Sequence, residues 1–290
     1  MPIYLSPYKL FDISLDSSDA VLEANEISVI ERFKDNDEDE VIQIGLTKTV
    51  KSHALKLLNE LKDFNCRQYH IAVFNYKKLL NFLEYGQLNY FRQDNNDENI
   101  QDEEFWKFIA PYFGRQFGET LLQAIKTNDK ETLTLLATES LPIIGDFEEL
   151  CYKHAASYIG KTINELKELQ DQKELLHISE RELLSYLPNK TIELYNILPD
   201  YFNVVRNLIA TEIYSLSVVL IQNHGRSDGA FAIIKQGLKL KVDESVRKNL
   251  ESMHKNFTLK SQVPTFIWVA LAAVSLLYLI KFLETTFSNG

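Results

Sequence analysis

Residues Val263 to Ile280 read VPTFIWVALAAVSLLYLI and carry no charge. A helix needs roughly 20 mostly apolar residues to cross the hydrocarbon core of a bilayer. The run reaches that length when Phe282 and Leu283 are counted and the Lys281 side chain snorkels to the interface. Backbone amides in lipid must be satisfied within the segment, so a helix is the only form open to it there. A buried core helix of this length normally keeps a polar face, and this run offers only Thr265 and Ser275. Phe266 and Trp268 toward one end and Leu276 and Tyr278 toward the other suit an anchor with aromatic rings near the interfaces. The sequence therefore predicts a tail-anchored, single-pass membrane protein: a transmembrane helix over 263–283, a short tail over 284–290, and everything before residue 260 as a body held at the bilayer.

Orientation follows from the flanks. Arg247, Lys248, Lys255 and Lys260 precede the run, and Lys281 alone follows it before the last residue. The positive-inside rule places the body in the cytoplasm, on a bacterial inner membrane or an organelle surface. The opening MPIYLSPYKLFDIS lacks the charged and apolar regions of a signal peptide. The sequons Asn189-Lys190-Thr191 and Asn256-Phe257-Thr258 would meet no glycosylation machinery in that compartment. Cys66 and Cys151 have no metal spacing and read as buried thiols in a reducing environment. A net charge of -10 argues against nucleic acid as a partner, because phosphate binding relies on Lys and Arg.

Ten glycines and seven prolines in 290 residues favour long helices over a turn-rich β fold. The expected fold is mainly α: helical hairpins with a small α(+β) N-terminal part. The expected division is a mostly helical domain over 1–92, a polar linker or loop at 93–102 (QDNNDENIQD) and a helical domain over 103–260. Ala20, Leu22, Ile27, Val29 and Ile30 suit an early helix behind the capping residues Ser14 to Ser18. The acidic run Asp35–Glu40 lacks the glycine and final glutamate of a calcium loop and reads as solvated. Val41–Ile44 suits a short, isolated strand. Val50, Ala54, Leu57, Leu58, Leu61 and Phe64 recur at helical spacing, with Thr47 or Thr49 near the start. A second helix is expected from Tyr69 through Leu83, ending near Gly86. Pro111 is expected to kink or end the helix that begins near Glu103. A helical hairpin turns at Lys126–Lys130. Pro142 and Gly145 precede a long helix whose apolar face includes Cys151, His154, Tyr158, Leu166 and Leu169. Ser179-Glu180-Arg181-Glu182 reads as a capping box.

Two stretches are similar to known families. PYKLFDISLDSSDAVLEANE, residues 7–26, faintly resembles the opening of a J-domain. The His-Pro-Asp tripeptide with which such co-chaperones stimulate their ATPase partner is absent, so the resemblance does not imply that activity. Gly225, Ala230, Ile234 and Gly237 stand where a tetratricopeptide repeat places its turn glycine and the small, large and small residues of its second helix. This resemblance covers about one repeat, 202–242. Val242 replaces the usual closing proline, the first-helix tryptophan and glycine are unmatched, and no second copy recurs at a 34-residue period. It implies a TPR-like helical bundle that binds protein partners.

No phosphate-binding loop, serine elbow, paired zinc histidines or cysteine–histidine pair is present. Gly114-Arg-Gln-Phe-Gly118 and Gly225-Arg-Ser-Asp-Gly229 each space two glycines without the Lys-Ser or Lys-Thr of a P-loop. His53, His70, His177, His224 and His254 share no ligand spacing. The sequence thus implies no catalytic residue, cofactor or metal. Its leading reading is an interaction scaffold or adaptor for a cytoplasmic protein, with Trp106, Tyr112, Phe113 and Phe117 as the candidate partner surface and the core as their alternative place. A second reading is a membrane-active effector whose tail helix self-associates through Ala270, Ala272, Ala273 and Ser275. A third is a membrane-anchored co-chaperone.

Overall fold

The computed structural model describes residues 3–91, 102–138, 147–171, 175 and 177–257. The anchor residues Phe266, Trp268, Leu276, Tyr278 and Lys281, the whole run 263–283 and nearly all of the linker 93–102 lie outside the described residues. The described chain is mainly helical and forms two compact units, Met1–Tyr158 and Ile159–Gly290.

The first unit is built on α3 (Lys51–Lys62), where Ala54, Leu57, Leu58 and Leu61 are buried on one face. Burying a leucine side chain contributes roughly 1.5–3 kcal/mol, so this stripe outweighs the weak start of the helix, whose N-cap Val50 has no capping side chain. The backbone of the acidic run supplies that cap instead. The Ser52 amide donates to the Glu38 carbonyl at 2.9 Å and the Lys51 amide to that of Glu40 at 3.3 Å. Around α3 lie α1 (Pro7–Leu10) and α2 (Asp19–Arg32), which add Leu10 and Val29 to its core. Leu22 of α2 packs with Tyr8 and Leu61. The helix expected through Ala20 to Ile30 is present, with Ile27 and Ile30 facing outward, 54% and 47% exposed.

Val41–Ile44 is not an isolated strand. As β1 it pairs antiparallel with β2 (Thr47–Val50), Ile42 opposite Thr49 and Ile44 opposite Thr47. Gly45, at φ 56°, permits the two-residue turn. The threonines expected to open α3 therefore belong to the hairpin. Alternation places Ile42 and Thr49 inward on the same side.

Phe64 is 73% exposed and opens α4 (Phe64–Asn75) rather than closing α3, because Asp63 accepts from the Cys66 amide at 2.8 Å and starts a new helix. The single helix expected over Tyr69–Leu83 is split at Tyr76 into α4 and α5 (Lys77–Tyr85), and Gly86 ends α5 at φ 68°. The long helix α6 (Glu103–Thr127) runs through Pro111 without stopping. An interior proline costs ~3 kcal/mol; here the residues on both sides, Ile109, Ala110, Tyr112 and Phe113, are buried and hold the helix. Asn128 at φ 56° turns the chain into α7 (Lys130–Thr138). In α8 (Phe147–Gln170), Cys151, Ala155, Ile159, Leu166 and Leu169 are buried. His154 is exposed and off that stripe.

In the second unit Ser179 caps α9 (Glu180–Ser185) by accepting from the Glu182 amide at 3.2 Å. Then come α10 (Asn189–Ile197), α11 (Asn203–Gln222) and α12 (Ser227–Gly237), followed by a helical stretch at 244–257. The stretch Asp200–Gln222 is the one described helix long and apolar enough to cross a membrane. Core helices of water-soluble proteins share that length and composition. Here Ile209, Ala210, Ile213, Leu216 and Leu220 of α11 are wholly buried, and α12 packs along the helix. A Cβ at Gly237 would lie 3.0 Å from Ile213 Cγ2, so the glycine sets how closely the two helices meet.

Candidate functional site

The candidate partner residues Trp106, Tyr112, Phe113 and Phe117 are interior. They are 8%, 4%, 1% and 0% exposed. Phe113 contacts the rings of Phe82, Trp106, Phe117 and Phe147 at centroid distances of 5.0 to 6.2 Å, the range of packed aromatic pairs. With so little ring surface facing out, these side chains hold the first unit together.

Tyr112 has a second role, in a polar network that the sequence did not single out. On α3, His53, Lys56 and Glu60 stand at i, i+3 and i+7, which is one helix face. Lys56 Nζ lies 3.4 Å from Glu60 Oε1 and 3.3 Å from the Tyr112 hydroxyl, and 5.4 Å from the centre of the Tyr112 ring. Glu60 Oε2 lies 3.1 Å from His70 Nε2, and His70 Nδ1 lies 3.0 Å from the Tyr4 hydroxyl. With the proton on Nε2, the ring donates to Glu60 and accepts at Nδ1 from the Tyr4 hydroxyl. Burial pushes the Tyr4 phenol well above its ordinary range, with Glu84 adding to the effect, and pushes Tyr112 up with help from Glu60. Burial alone would raise Glu60; the hydrogen bond and charge interaction with His70, and then Lys56, overcome it and hold the carboxyl below its usual value. Burial would likewise lower Lys56, and Tyr112 with Glu60 turns the shift upward. The contacts run from the Tyr4 hydroxyl through the His70 ring and the Glu60 carboxylate to the Lys56 ammonium and the Tyr112 hydroxyl.

His53 lies beside this network. Its ring stacks on Tyr112 with centroids 6.5 Å apart, and its Nδ1 is 3.3 Å from Thr49 Oγ1. Burial, then the nearby Lys56 charge, brings its pKa down to about 4, so the ring is neutral at pH 7. Its buried Nε2 has no hydrogen-bond partner among the described residues. Thr49, His53 and Lys56 all line a cavity of about 730 Å³. That volume is in the range of small-molecule sites.

The arrangement holds charge in place and has no activated nucleophile among the described residues. The Cys66 thiol is raised to about 11, first by burial and then by Asp63, and Cys151 is raised further by burial. Cys66 is only partly buried, unlike the expectation for both thiols. Among the described residues no three His, Cys, Asp or Glu side chains gather as a metal site. The i, i+3, i+7 spacing of His53, Lys56 and Glu60 was visible in the sequence. Their meeting with His70 and Tyr4 depends on the turn at Asp63 and on where the N-terminal segment lies.

Comparison with protein-family models, with curated proteins and with solved structures finds no match for this chain.

Proposed function

We propose that this chain is a membrane-anchored interaction protein. A helix formed by 263–283 holds the body at a bilayer, with the body on the cytoplasmic side, and the TPR-like helix pair within 202–242 docks a protein partner. The observation that carries the reading is the uncharged run Val263–Ile280, for which lipid is the natural solvent. Two features of α11 and α12 support the docking half. Gly225 turns the chain at φ 63°, and Ala230 and Ile234 are wholly buried in the pair, as a tetratricopeptide hairpin requires. On the outer side of α11, Val204 and Leu208 stand one turn apart and are 67% and 46% exposed, an apolar pair open to a partner.

The test has two arms. Membranes bearing the full chain are washed with alkaline carbonate: the chain stays in the pellet, and the double variant Ala272→Arg, Leu276→Arg is released. Release of the unaltered chain defeats the anchor. The full chain is then crosslinked in cells and purified in mild detergent. A partner crosslinked to α11 and lost with Leu208→Glu supports docking; the same partners on both forms defeat this surface.

A further inference from the structure

We propose that the outward face of α2 docks a basic amphipathic helix of a protein partner. Leu22 and Val29 are the buried residues of this helix, which packs against α3. Ala20, Ala24 and Ile27 stand at i, i+4 and i+7 on the opposite side, with Ile30 beside Ile27 one turn on, and all four are exposed. A helix with apolar residues on both sides is normally covered on both. Here α3 covers one side, and the other leaves Ile27 and Ile30 with about half of their surface in water.

Charge selects the occupant. From Asp19 to Glu40 the chain carries nine carboxylates and two cations, Arg32 and Lys34. Two of the carboxylates are already engaged: Asp19 meets Arg67 Nη1 at 3.4 Å, and Glu26 meets Lys62 Nζ. Neighbouring elements bring two more cations, Lys51, whose Nζ donates to the Phe33 and Asn36 carbonyls, and Lys48, which lines the same cavity as Asp39. Seven carboxylates then stand against four cations, and the surplus is negative. Glu23 and Glu31, one turn before and one turn after Ile27, are exposed and without an ion pair among the described residues. The apolar centre of the face is thus flanked by two free negative charges.

Other occupants fit this face less well. It would repel an anionic bilayer and a nucleic acid. A second copy meeting the same face would set Glu23 and Glu31 against their like. A bare cation would leave Ile27 and Ile30 in water. A partner helix with lysines or arginines one turn either side of an apolar centre answers both the charge and the isoleucines. The 14 residues of α2 present a face about 21 Å long at 1.5 Å per residue, which suits a partner helix of about four turns. This surface lies in the first unit and is independent of the docking surface proposed on α11.

The probe is a fluorescein-labelled amphipathic helical peptide of leucine, lysine and alanine, about 14 residues long. It is titrated by fluorescence anisotropy against the full chain in nanodiscs of zwitterionic lipid, with empty nanodiscs as the blank. Saturable binding of one peptide per chain is expected. It should weaken as salt rises from about 0.1 M to about 1 M and the screening length falls from ~10 Å to ~3 Å. Ile27→Ser with Ile30→Ser weakens binding about tenfold. Glu23→Gln with Glu31→Gln weakens it about threefold and makes the salt dependence shallower. Leu208→Ser, on α11, leaves it unchanged. Circular dichroism checks that each variant is folded. No saturable binding overturns the proposal, as does unchanged binding by the isoleucine variant. Equal binding of a peptide with glutamate in place of lysine overturns the charge. Loss of binding with Leu208→Ser moves the site to α11 and overturns this face. A dimer of the full chain that the isoleucine variant dissociates makes the occupant a second copy and overturns the partner.

Discussion

Tyr4 and His70 are 66 residues apart in sequence, and the hydroxyl of one lies 3.0 Å from Nδ1 of the other with both rings wholly buried. This bond ties the N-terminal segment to α4. Tyr4→Phe keeps the ring and removes the hydroxyl, leaving His70 Nδ1 buried and unpaired. The expected loss is ~1–3 kcal/mol, read as a lower urea midpoint of Trp106 fluorescence in a Trp268→Phe background. An unchanged midpoint would mean that the bond contributes nothing.

Stability should fall with acid between pH 6.5 and pH 4. His53 has its pKa lowered from 6.5 to about 4, so the unfolded chain binds a proton that the folded chain refuses in this window. Stability is therefore full above pH 6.5 and falls as pH drops toward 4, by about 3 kcal/mol at 1.36 kcal/mol per pH unit. Glu60 acts in the same direction at the acid end, because its folded value is depressed and its contribution goes as it protonates. His53→Gln should flatten the slope of urea midpoints over this range. A slope as steep as that of the unaltered chain would place the titration elsewhere.

Helix α6 meets α8 through glycine. A Cβ at Gly114 would fall 2.6 Å from Leu150 Cβ, and one at Gly118 would fall 3.0 Å from the Cys151 carbonyl oxygen. Gly114→Val must push backbones apart and should cost ~1–3 kcal/mol, the range of overpacked cores. The same substitution at Gly160, where nothing lies within 4 Å, should cost much less. Equal effects in thermal unfolding would contradict the close approach.

Arg206 is 1% exposed and donates from Nη1 to the carbonyls of Tyr195 and Leu198, each at 2.8 Å. Its Nη2 reaches Pro199 O at 3.3 Å and the Asn203 side chain. It thereby closes the turn from α10 into α11. Arg206→Met leaves those acceptors without a donor and should cost ~3 kcal/mol, with faster amide exchange across 195–206. Arg206→Lys should recover only part of this, since a single ammonium cannot span the fork. Full recovery by lysine would show that charge alone matters.

The thiols should differ in reactivity. Cys151 is buried and should stay unmodified by iodoacetamide at pH 8 in the folded chain. Cys66 is partly exposed but raised to about 11, and should react at least tenfold more slowly than an ordinary free thiol. Mass spectrometry of the two peptides distinguishes these outcomes.

Local pattern made much of the fold legible. The stripe Ala54, Leu57, Leu58, Leu61 predicted α3, the Ser179 box started α9, and the 147–170 helix and the α11–α12 pair lie where their periodicity puts them. The failures came where a neighbour in space changed the answer. Val41–Ile44 found a partner strand across Gly45, and the helix expected over Tyr69–Leu83 is divided at Tyr76.

The sequence by itself determined a mainly helical chain, a net charge of -10 and an uncharged apolar run over Val263–Ile280. Each of these depends on residue type and short-range spacing. Tertiary structure alone decided that Trp106, Tyr112, Phe113 and Phe117 are core, and that Tyr4, Lys56, Glu60, His70 and Tyr112 share one polar network. The Glu60–His70, Lys56–Tyr112 and Tyr4–His70 pairs lie 10, 56 and 66 residues apart, separations that no helical or strand period encodes. Only the folded backbone brings them within hydrogen-bonding distance, where burial raises the Tyr4 and Tyr112 phenols and neighbouring groups set the Glu60 and Lys56 shifts against it.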